Sequence, residues 1–413
     1  MDSKLKQSQS PKALAWKRFR SNKLGMVSCG FVIFWALLAL FAYVIIPDKT
    51  PNANRQILEI STKKPGFEVD MLMLPKETPP AKTPFLQFLF NGRPDDCIYL
   101  PFDSIHVDAN QTTVYLYQSE ESLNVRTEVV DNRELIKVGP STGSGTLMST
   151  GSGTLMSTGS GTLVSMGSGT LVFTSAEEAD NYIRSHCVKH RKFLLGTDQF
   201  GRDFLSRLVL GSRISLTVGF IAVLLSLMIG IVMGSLGGFF RGKVDDAVVW
   251  FINVVWSIPT LLLVIAITFA LGKGIAQVFI AVGLTMWVEV ARIVRGQILS
   301  IRETTFVEAG RALGFKNLRI IFKHILPNIL NPIIVVSAAN FASAILLEAG
   351  LSFLGIGVQP PMPSWGSMIK ENYAFIILDA AYLAILPGIA IMLLVLAFML
   401  IGNALREALD VKN

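Results

Sequence analysis

Few residues of this chain are placed for covalent chemistry. Glu289 and Glu348 stand at the ends of apolar runs, where an acid is a candidate for handling a cation or a proton. Glu289 is followed by Arg292 at helical i,i+3 spacing, which reads as an ion pair near a membrane interface rather than as a ligand site. Glu348 reads as a pathway acid or as a cap on the loop that follows it, with the cap favoured. The stretch Leu195-Gly196-Thr197-Asp198-Gln199-Phe200-Gly201-Arg202-Asp203 offers two carboxylates, but no histidine at metal-ligand spacing. Its two glycines and Asp198 favour a tight structural turn, with Arg202 and Asp203 opening a helix towards the membrane. No nucleophile–base constellation is visible, and there is no Gly-x-x-x-x-Gly-Lys-Ser/Thr loop to hold nucleotide phosphates. No catalytic residue, no metal site and no bound cofactor are therefore expected on this chain.

The most specific pattern lies elsewhere. In Thr304-Thr305-Phe306-Val307-Glu308-Ala309-Gly310-Arg311-Ala312-Leu313-Gly314, Thr305 and Glu308 have capping-box spacing, and Gly314 is placed to end a helix in a left-handed conformation. The spacing predicts a short helix, Phe306 to Leu313. Its surroundings carry Arg292, Arg295, Arg302, Arg311, Lys316, Arg319 and Lys323 against Glu303 and Glu308, too basic for burial in lipid. A small, firmly ended helix between membrane spans is suited to docking into a partner. Gly310 inside it costs roughly 1 kcal/mol relative to alanine, which makes sense if another surface must approach closely there.

The elements that would position this helix follow from composition. Of 413 residues, 51% are hydrophobic and 16% charged, against about 25% charge in soluble domains, so the chain reads as an all-α integral membrane protein with some soluble mass. Six runs approach the ~20 residues that cross a bilayer: Met26–Ile46, Ile214–Phe240, Ala247–Leu271, Gly274–Val290, Ile325–Leu347 and Ala380–Leu405, the fourth being the weakest. Lys4, Lys6, Lys12, Lys17, Arg18, Arg20 and Lys23 oppose a single acid, Asp2, at the amino end. The positive-inside rule then puts both termini and the Glu308 helix in the cytoplasm, and explains the net charge of +7 better than nucleic-acid binding does. The first run is longer than a signal-peptide core, and Val44-Ile45-Ile46-Pro47-Asp48 lacks a small-x-small cleavage site, so it reads as an uncleaved anchor.

The predicted organisation is a cytoplasmic segment 1–25, an anchor 26–47, an extracytoplasmic insertion 48–192 and a five-helix domain 193–413 with a cytoplasmic loop 291–324. The insertion reads as mixed and irregular, with proline clusters, a strand-like Thr113-Val114-Tyr115-Leu116-Tyr117, and a helix from Ser175 to Lys189 capped by Ser175. Within it an octapeptide, Ser-Thr-Gly-Ser-Gly-Thr-Leu-Met, repeats over 141–172. Its Gly/Ser content suggests a spacer, while the Thr-Leu-Met/Val triplets are compatible with short strands. Cys29 lies in the first apolar run, and the outer location of Cys97 and Cys187 permits a disulfide between them.

Ser257-Ile258-Pro259 and Pro387-Gly388 place prolines inside spans, where they kink a helix and free a carbonyl. Asn253, Pro259, Asn340, Ser343 and Glu348 are the candidates to face a pathway, although each polar one also suits an interhelical hydrogen bond. Arg207 and Arg213 are expected to snorkel at the outer surface. The proline-rich run Glu348 to Gly366 reads as an outer loop on the membrane, followed by a short helix from Ser364.

The Glu308 segment resembles the EAA signature of permease subunits of bacterial ABC importers. Glu308, Ala309, Gly314, Leu326 and Pro327 match that pattern, while Gly310 replaces its second alanine and His324 stands at its isoleucine. Together with Leu195–Asp203, Ser257-Ile258-Pro259, Leu351–Gly366 and the amino-terminal Ala15–Lys23, the chain resembles the second permease subunit of dipeptide, oligopeptide and nickel importers over 12–47 and 193–410. The insertion and its repeat are foreign to that family. The resemblance implies a multi-pass protein of the bacterial cytoplasmic membrane that forms half of a translocation pathway. It also implies a second permease subunit, two cytoplasmic ATPase subunits and an external solute-binding protein as partners. Thr305, Glu308, Ala309, Gly310, Gly314, Leu326 and Pro327 would couple the chain to the ATPase. The alternative class is a membrane-anchored sensor built on the insertion. A proton- or sodium-driven carrier is disfavoured because no acid lies within the uncharged runs.

Overall fold

The computed structural model describes residues 11–78, 80, 83–118, 126–135, 155–157, 163–167, 170–173, 175–272 and 274–409. Two compact units result, one over Met1–Leu40 with Leu208–Asn413, the other over Phe41–Arg207.

The first unit is helical. Its elements are α1 (Pro11–Ser21), α2 (Lys23–Leu40), α3 (Phe204–Phe240, whose first turn belongs to the other unit), α4 (Gly242–Trp256), α5 (Thr260–Leu271), α6 (Ile275–Ile301), α7 (Thr305–Ala312), α8 (Leu330–Phe353), α9 (Trp365–Asn372) and α10 (Tyr382–Leu409). Five of them, α2, α3, α6, α8 and α10, are long and apolar enough to cross a membrane. The expected third span is broken: α4 and α5 meet at 91°. Pro259 lacks an N–H and disfavours helical backbone at Ile258, so α4 ends at the Ser257 cap and α5 begins from Pro259. The break is braced by the Arg292 guanidinium, 3.6 Å above the Trp256 ring. Arg292 thus spends its charge on an aromatic face, and the expected Glu289–Arg292 pair does not form.

The run expected to be the weakest span, now α6, is the most enclosed of the five and the least apolar. A helix surrounded by protein rather than lipid does not need an unbroken apolar surface. It packs tightly against α3 through three glycines one helical turn apart. A Cβ at Gly230 would lie 2.5 Å from Val290 Cβ, one at Gly234 2.6 Å from the Ala291 carbonyl oxygen, and one at Gly238 2.9 Å from the Arg295 carbonyl oxygen. Small residues at this spacing let two helix backbones touch, the usual device of helix packing in membranes. At the other edge Asn22 caps α2, its Oδ1 accepting the Gly25 N–H at 2.9 Å while its Nδ2 donates to Glu407 of α10 at 3.0 Å.

The second unit is more regular than its sequence suggests. Strands β1 (Phe67–Pro75), β2 (Cys97–Val107), β3 (Gln111–Leu116), β4 (Thr127–Asp131) and β8 (Val188–Phe193) form an antiparallel sheet in the order β4-β3-β2-β1-β8. Alternation along β1 sends Val69 and Met71 to one apolar cluster with Ile57, Ile60 and Phe193, and Leu72 to another with Phe102, Ile105 and Val114. Ser175 caps the helix Ala176–Tyr182 as expected, accepting the Glu178 N–H at 3.2 Å. That helix stops at Tyr182, however, and after a π-helical turn the chain becomes strand β8, because β1 offers a free edge to pair with. Within the octapeptide repeat, β5 (Leu155–Ser157), β6 (Leu163–Gly167) and β7 (Thr170–Val172) form a small antiparallel sheet, so the apolar residues of its last three copies lie in strands, while those of the first copy lie outside the described residues. Cys29, Cys97 and Cys187 stand as free thiols. Burial pushes the Cys187 thiol up to about 12.

The turn before α3 is an ion-paired knot. Asp198 accepts the N–H groups of Phe200 and Arg202 at 2.9 and 3.0 Å, and Arg202 Nε at 2.6 Å. Arg207 lies 3.5 Å from the same carboxylate and is 1% exposed, so it does not snorkel. Asp203 caps α3 by accepting the Ser206 N–H at 2.9 Å. Arg213, in the helical unit, donates to the carbonyls of Ala39 and Leu40 at 2.8 and 3.1 Å and so closes the end of α2.

A candidate partner-docking segment

Helix α7 is held at one end and open along one side. At its carboxyl end Gly314 has φ +75°, the Phe315 N–H donates to the Gly310 carbonyl at 3.0 Å, and the Gly314 N–H donates to the Arg311 carbonyl at 2.9 Å. This pair of bonds is a Schellman closure, which requires a left-handed residue at Gly314. The amino end differs from expectation. The helix starts one residue early, at Thr305, so Thr304 is the N-cap, and its hydroxyl turns back to the Ile301 carbonyl at 2.6 Å. The Thr305–Glu308 capping box does not form, because Thr305 lies inside the helix.

Val307 is fully buried and joins Ile298, Ile320, Ile321, Ile325, Ile329 and Phe239 in one apolar cluster. The helix is therefore seated on the ends of α3 and α6 and on the segment leading into α8. Gly310 is buried as well: a Cβ there would meet Phe315 at 3.5 Å and Ile320 at 3.9 Å, ordinary contacts with the chain's own core. Close approach of a partner is thus not what Gly310 provides. The open side carries Thr305, Glu308 and Ala309, with Phe306 43% and Leu313 72% exposed. Sequence spacing missed these two apolar side chains, although Phe306, Ala309 and Leu313 recur as one helical stripe. Leu326 packs partly into the cluster beneath, and Pro327 occupies the first turn of the 3₁₀ helix Leu326–Asn328.

The pathway candidates are divided between α4–α5 and α8. Asn253 is exposed and its carbonyl accepts the Ser257 N–H at 2.9 Å, one turn before the break at Pro259. Asn340 is 1% exposed and its Nδ2 has no partner among the described residues, whereas Ser343 is exposed. Glu348 is fully buried, accepting from Ser215 of α3 at 3.1 Å and from Ser352 at 2.8 Å. Ser352 Oγ in turn accepts the Val358 N–H at 3.1 Å, so Glu348 holds the loop after α8 through a hydroxyl. A separate cavity of about 670 Å³ is lined by Glu289, Gln297, Asn331, Asn403 and Arg406, of which the sequence singled out Glu289 alone, as a less favoured ligand.

Multiple apolar helices with a basic connecting segment that presents an unsatisfied apolar stripe define a membrane component of a larger assembly. The comparisons name the assembly. Residues 226–412 match the family described as "Binding-protein-dependent transport system inner membrane component", and residues 10–62 match the "N-terminal TM domain of oligopeptide transport permease C". The glutathione transport system permease protein GsiD of Pectobacterium atrosepticum is 41% identical over 218 residues, covering 53% of this chain and 72% of that protein. The dipeptide transport system permease protein DppC of Alkalihalophilus pseudofirmus is 44% identical over 217 residues, 52% of this chain and 71% of the relative. The oligopeptide transport system permease protein OppC of Bacillus subtilis is 39% identical over 217 residues, with the same coverage of 52% and 71%. The chain belongs to this permease family. It is a multi-pass inner-membrane permease of a binding-protein-dependent ABC importer, not an enzyme, and works with an ATPase and a solute-binding protein carried on other chains.

Proposed function

We propose that this chain is one of two unlike permease subunits in an importer of di- and oligopeptides, driven by two ATPase subunits, and that α7 is the element the ATPase moves. The cargo reading is supported by relatives named for dipeptide, oligopeptide and glutathione transport. The distribution of Lys and Arg supports a topology with both termini and α7 in the cytoplasm and the segment between the first two spans outside. The observation that carries the coupling role is the polarity of α7: one side rooted through Val307 in the cluster shared with α6, the other presenting Phe306 and Leu313 to a partner. ATP-driven closure of the ATPase dimer pushes the open side. The shared core passes the displacement to α6 and α8, tilting them between inward- and outward-open states. Gly314 keeps the helix short enough to fit a cleft, and Glu308 faces that cleft at its mouth.

The test is capture of the ATPase in mild detergent with tagged wild type, Gly314→Val and Leu313→Asp. An ATPase that co-purifies with wild type and is lost with both variants supports the coupling role. Retention by both, with each variant monodisperse, removes α7 from the interface.

A further inference from the structure

The short helix Phe85–Asn91 in the outer unit is out of place for a soluble domain. It buries none of its residues, and Phe85 and Leu86 are 69% and 70% exposed. A water-facing helix of this length would be expected to carry charge; its sequence, Phe-Leu-Gln-Phe-Leu-Phe-Asn, carries none. Its position explains why. The same unit begins with Phe41, directly after the last residue of the α2 span, and Phe41, Val44 and Ile45 are 43%, 48% and 58% exposed. The helix is pinned beside this exit segment. The Phe88 ring lies 6.4 Å from that of Tyr43, and the Arg93 N–H donates to the Lys49 carbonyl at 2.8 Å. Gly92 sits at φ +74°, where a Cβ would come within 2.7 Å of both Tyr43 and the Lys49 carbonyl, so the approach tolerates no side chain.

We infer that Phe85–Asn91 is an interfacial anchor that seats the outer unit on the phospholipid surface, with Phe85 and Leu86 at the headgroup–acyl boundary. Chain connectivity fixes the location, because the chain emerges from the bilayer at Phe41–Ile45 and the helix packs against that turn. Lys49 and Arg93, both exposed and joined through their backbones beside the helix, supply cations for lipid phosphates. Apolar residues flanked by basic ones are what binding in the interface plane requires. This inference concerns neither cargo nor ATPase, and stands or fails apart from the transport reading.

A diazirine amino acid placed at Leu86 in the full-length chain, irradiated in the cytoplasmic membrane of the producing cells, reads the occupant directly. Phospholipid adducts severalfold more abundant than those at Val129, an equally apolar exposed position on the edge strand β4, are the expected result. An adduct with another protein, or lipid labelling no higher than at Val129, overturns the inference. The double variant Phe85→Ser/Leu86→Ser provides a second readout that does not depend on the probe. In liposomes of phosphatidylethanolamine and phosphatidylglycerol, Lys-C cleavage after Lys49 should rise severalfold over wild type. Unchanged cleavage would count against the anchor.

Discussion

Helices α7 and α9 have eight residues each and follow membrane spans, yet they are built for opposite purposes. α9 is locked into its own chain. Ser364 and Ser367 form a reciprocal capping box, and Trp365, Gly366, Ser367, Met368 and Asn372 are buried. Trp365 is 0% exposed, donates its indole N–H to the Leu208 carbonyl at 2.9 Å, and meets Trp35 edge-on at 5.3 Å. Even the neighbouring backbone is shaped to receive it: a Cβ at Gly211 would lie 2.8 Å from its ring. α7 lacks a side-chain cap, buries only Val307 and Gly310, and keeps its apolar stripe outside. A helix completed by its own chain satisfies its amino end and fills its faces; one completed by a partner leaves both unfinished. The backbone closure at Gly314 is what α7 retains, since it fixes length without using the docking face.

The contrast can be broken by substitution. Trp365→Ala should have the largest effect, a loss of about 3–5 kcal/mol for a fully buried aromatic, read as a sharp fall in the detergent melting temperature. Gly314→Val comes next. Forcing a β-branched residue to φ +75° costs roughly 1–3 kcal/mol, and because the strain is local it should abolish ATPase capture while the bundle still folds. A melting temperature and capture both equal to wild type would show that the left-handed closure is dispensable.

The caps supply a finer comparison. Ser364→Ala removes a formed capping box and should cost about 1 kcal/mol. Thr304→Ala removes a hydroxyl that caps nothing and should stay within about 0.5 kcal/mol. Equal losses from the two would mean that the ends of α7 and α9 are not different in kind. Leu313→Asp is the smallest in stability, again within about 0.5 kcal/mol because the side chain is exposed, but it should weaken ATPase binding by about 2 kcal/mol, roughly 30-fold. Titrating the purified ATPase against the reconstituted variant measures this directly; undiminished affinity would remove Leu313 from the interface.

The spacing of Glu308 and Gly314 located the short helix α7 and its carboxyl end, because a left-handed closure depends on a glycine and its immediate neighbours. The same reading misplaced the amino cap by one residue and gave Gly310 to the partner. Two adjacent threonines are equivalent as local signals, and whether a glycine faces inwards or outwards depends on where the helix lands. The packing of α3 on α6 was also legible in principle, since Gly230, Gly234 and Gly238 recur every four residues. Their role needs the second helix to be seen.

The unit over Phe41–Arg207 shows where sequence stops. The helix from Ser175 was expected to run on to Lys189, two residues into strand β8, because Glu177 and Glu178 and the Ser175 cap are real helix signals, and nothing local announces that β1 will offer an edge at Val188. What the sequence determined by itself was the class of protein, five of its spans and the position of the short helix closed by Gly314, since apolar length, charge bias and glycine-dependent turns are properties of contiguous residues. What only the tertiary structure decided was the side each residue serves: that Arg207 is buried against Asp198, that Arg292 covers Trp256 rather than pairing with Glu289, and that Leu313 is left outside. Those outcomes depend on the partners that distant segments bring, and no window of sequence contains them.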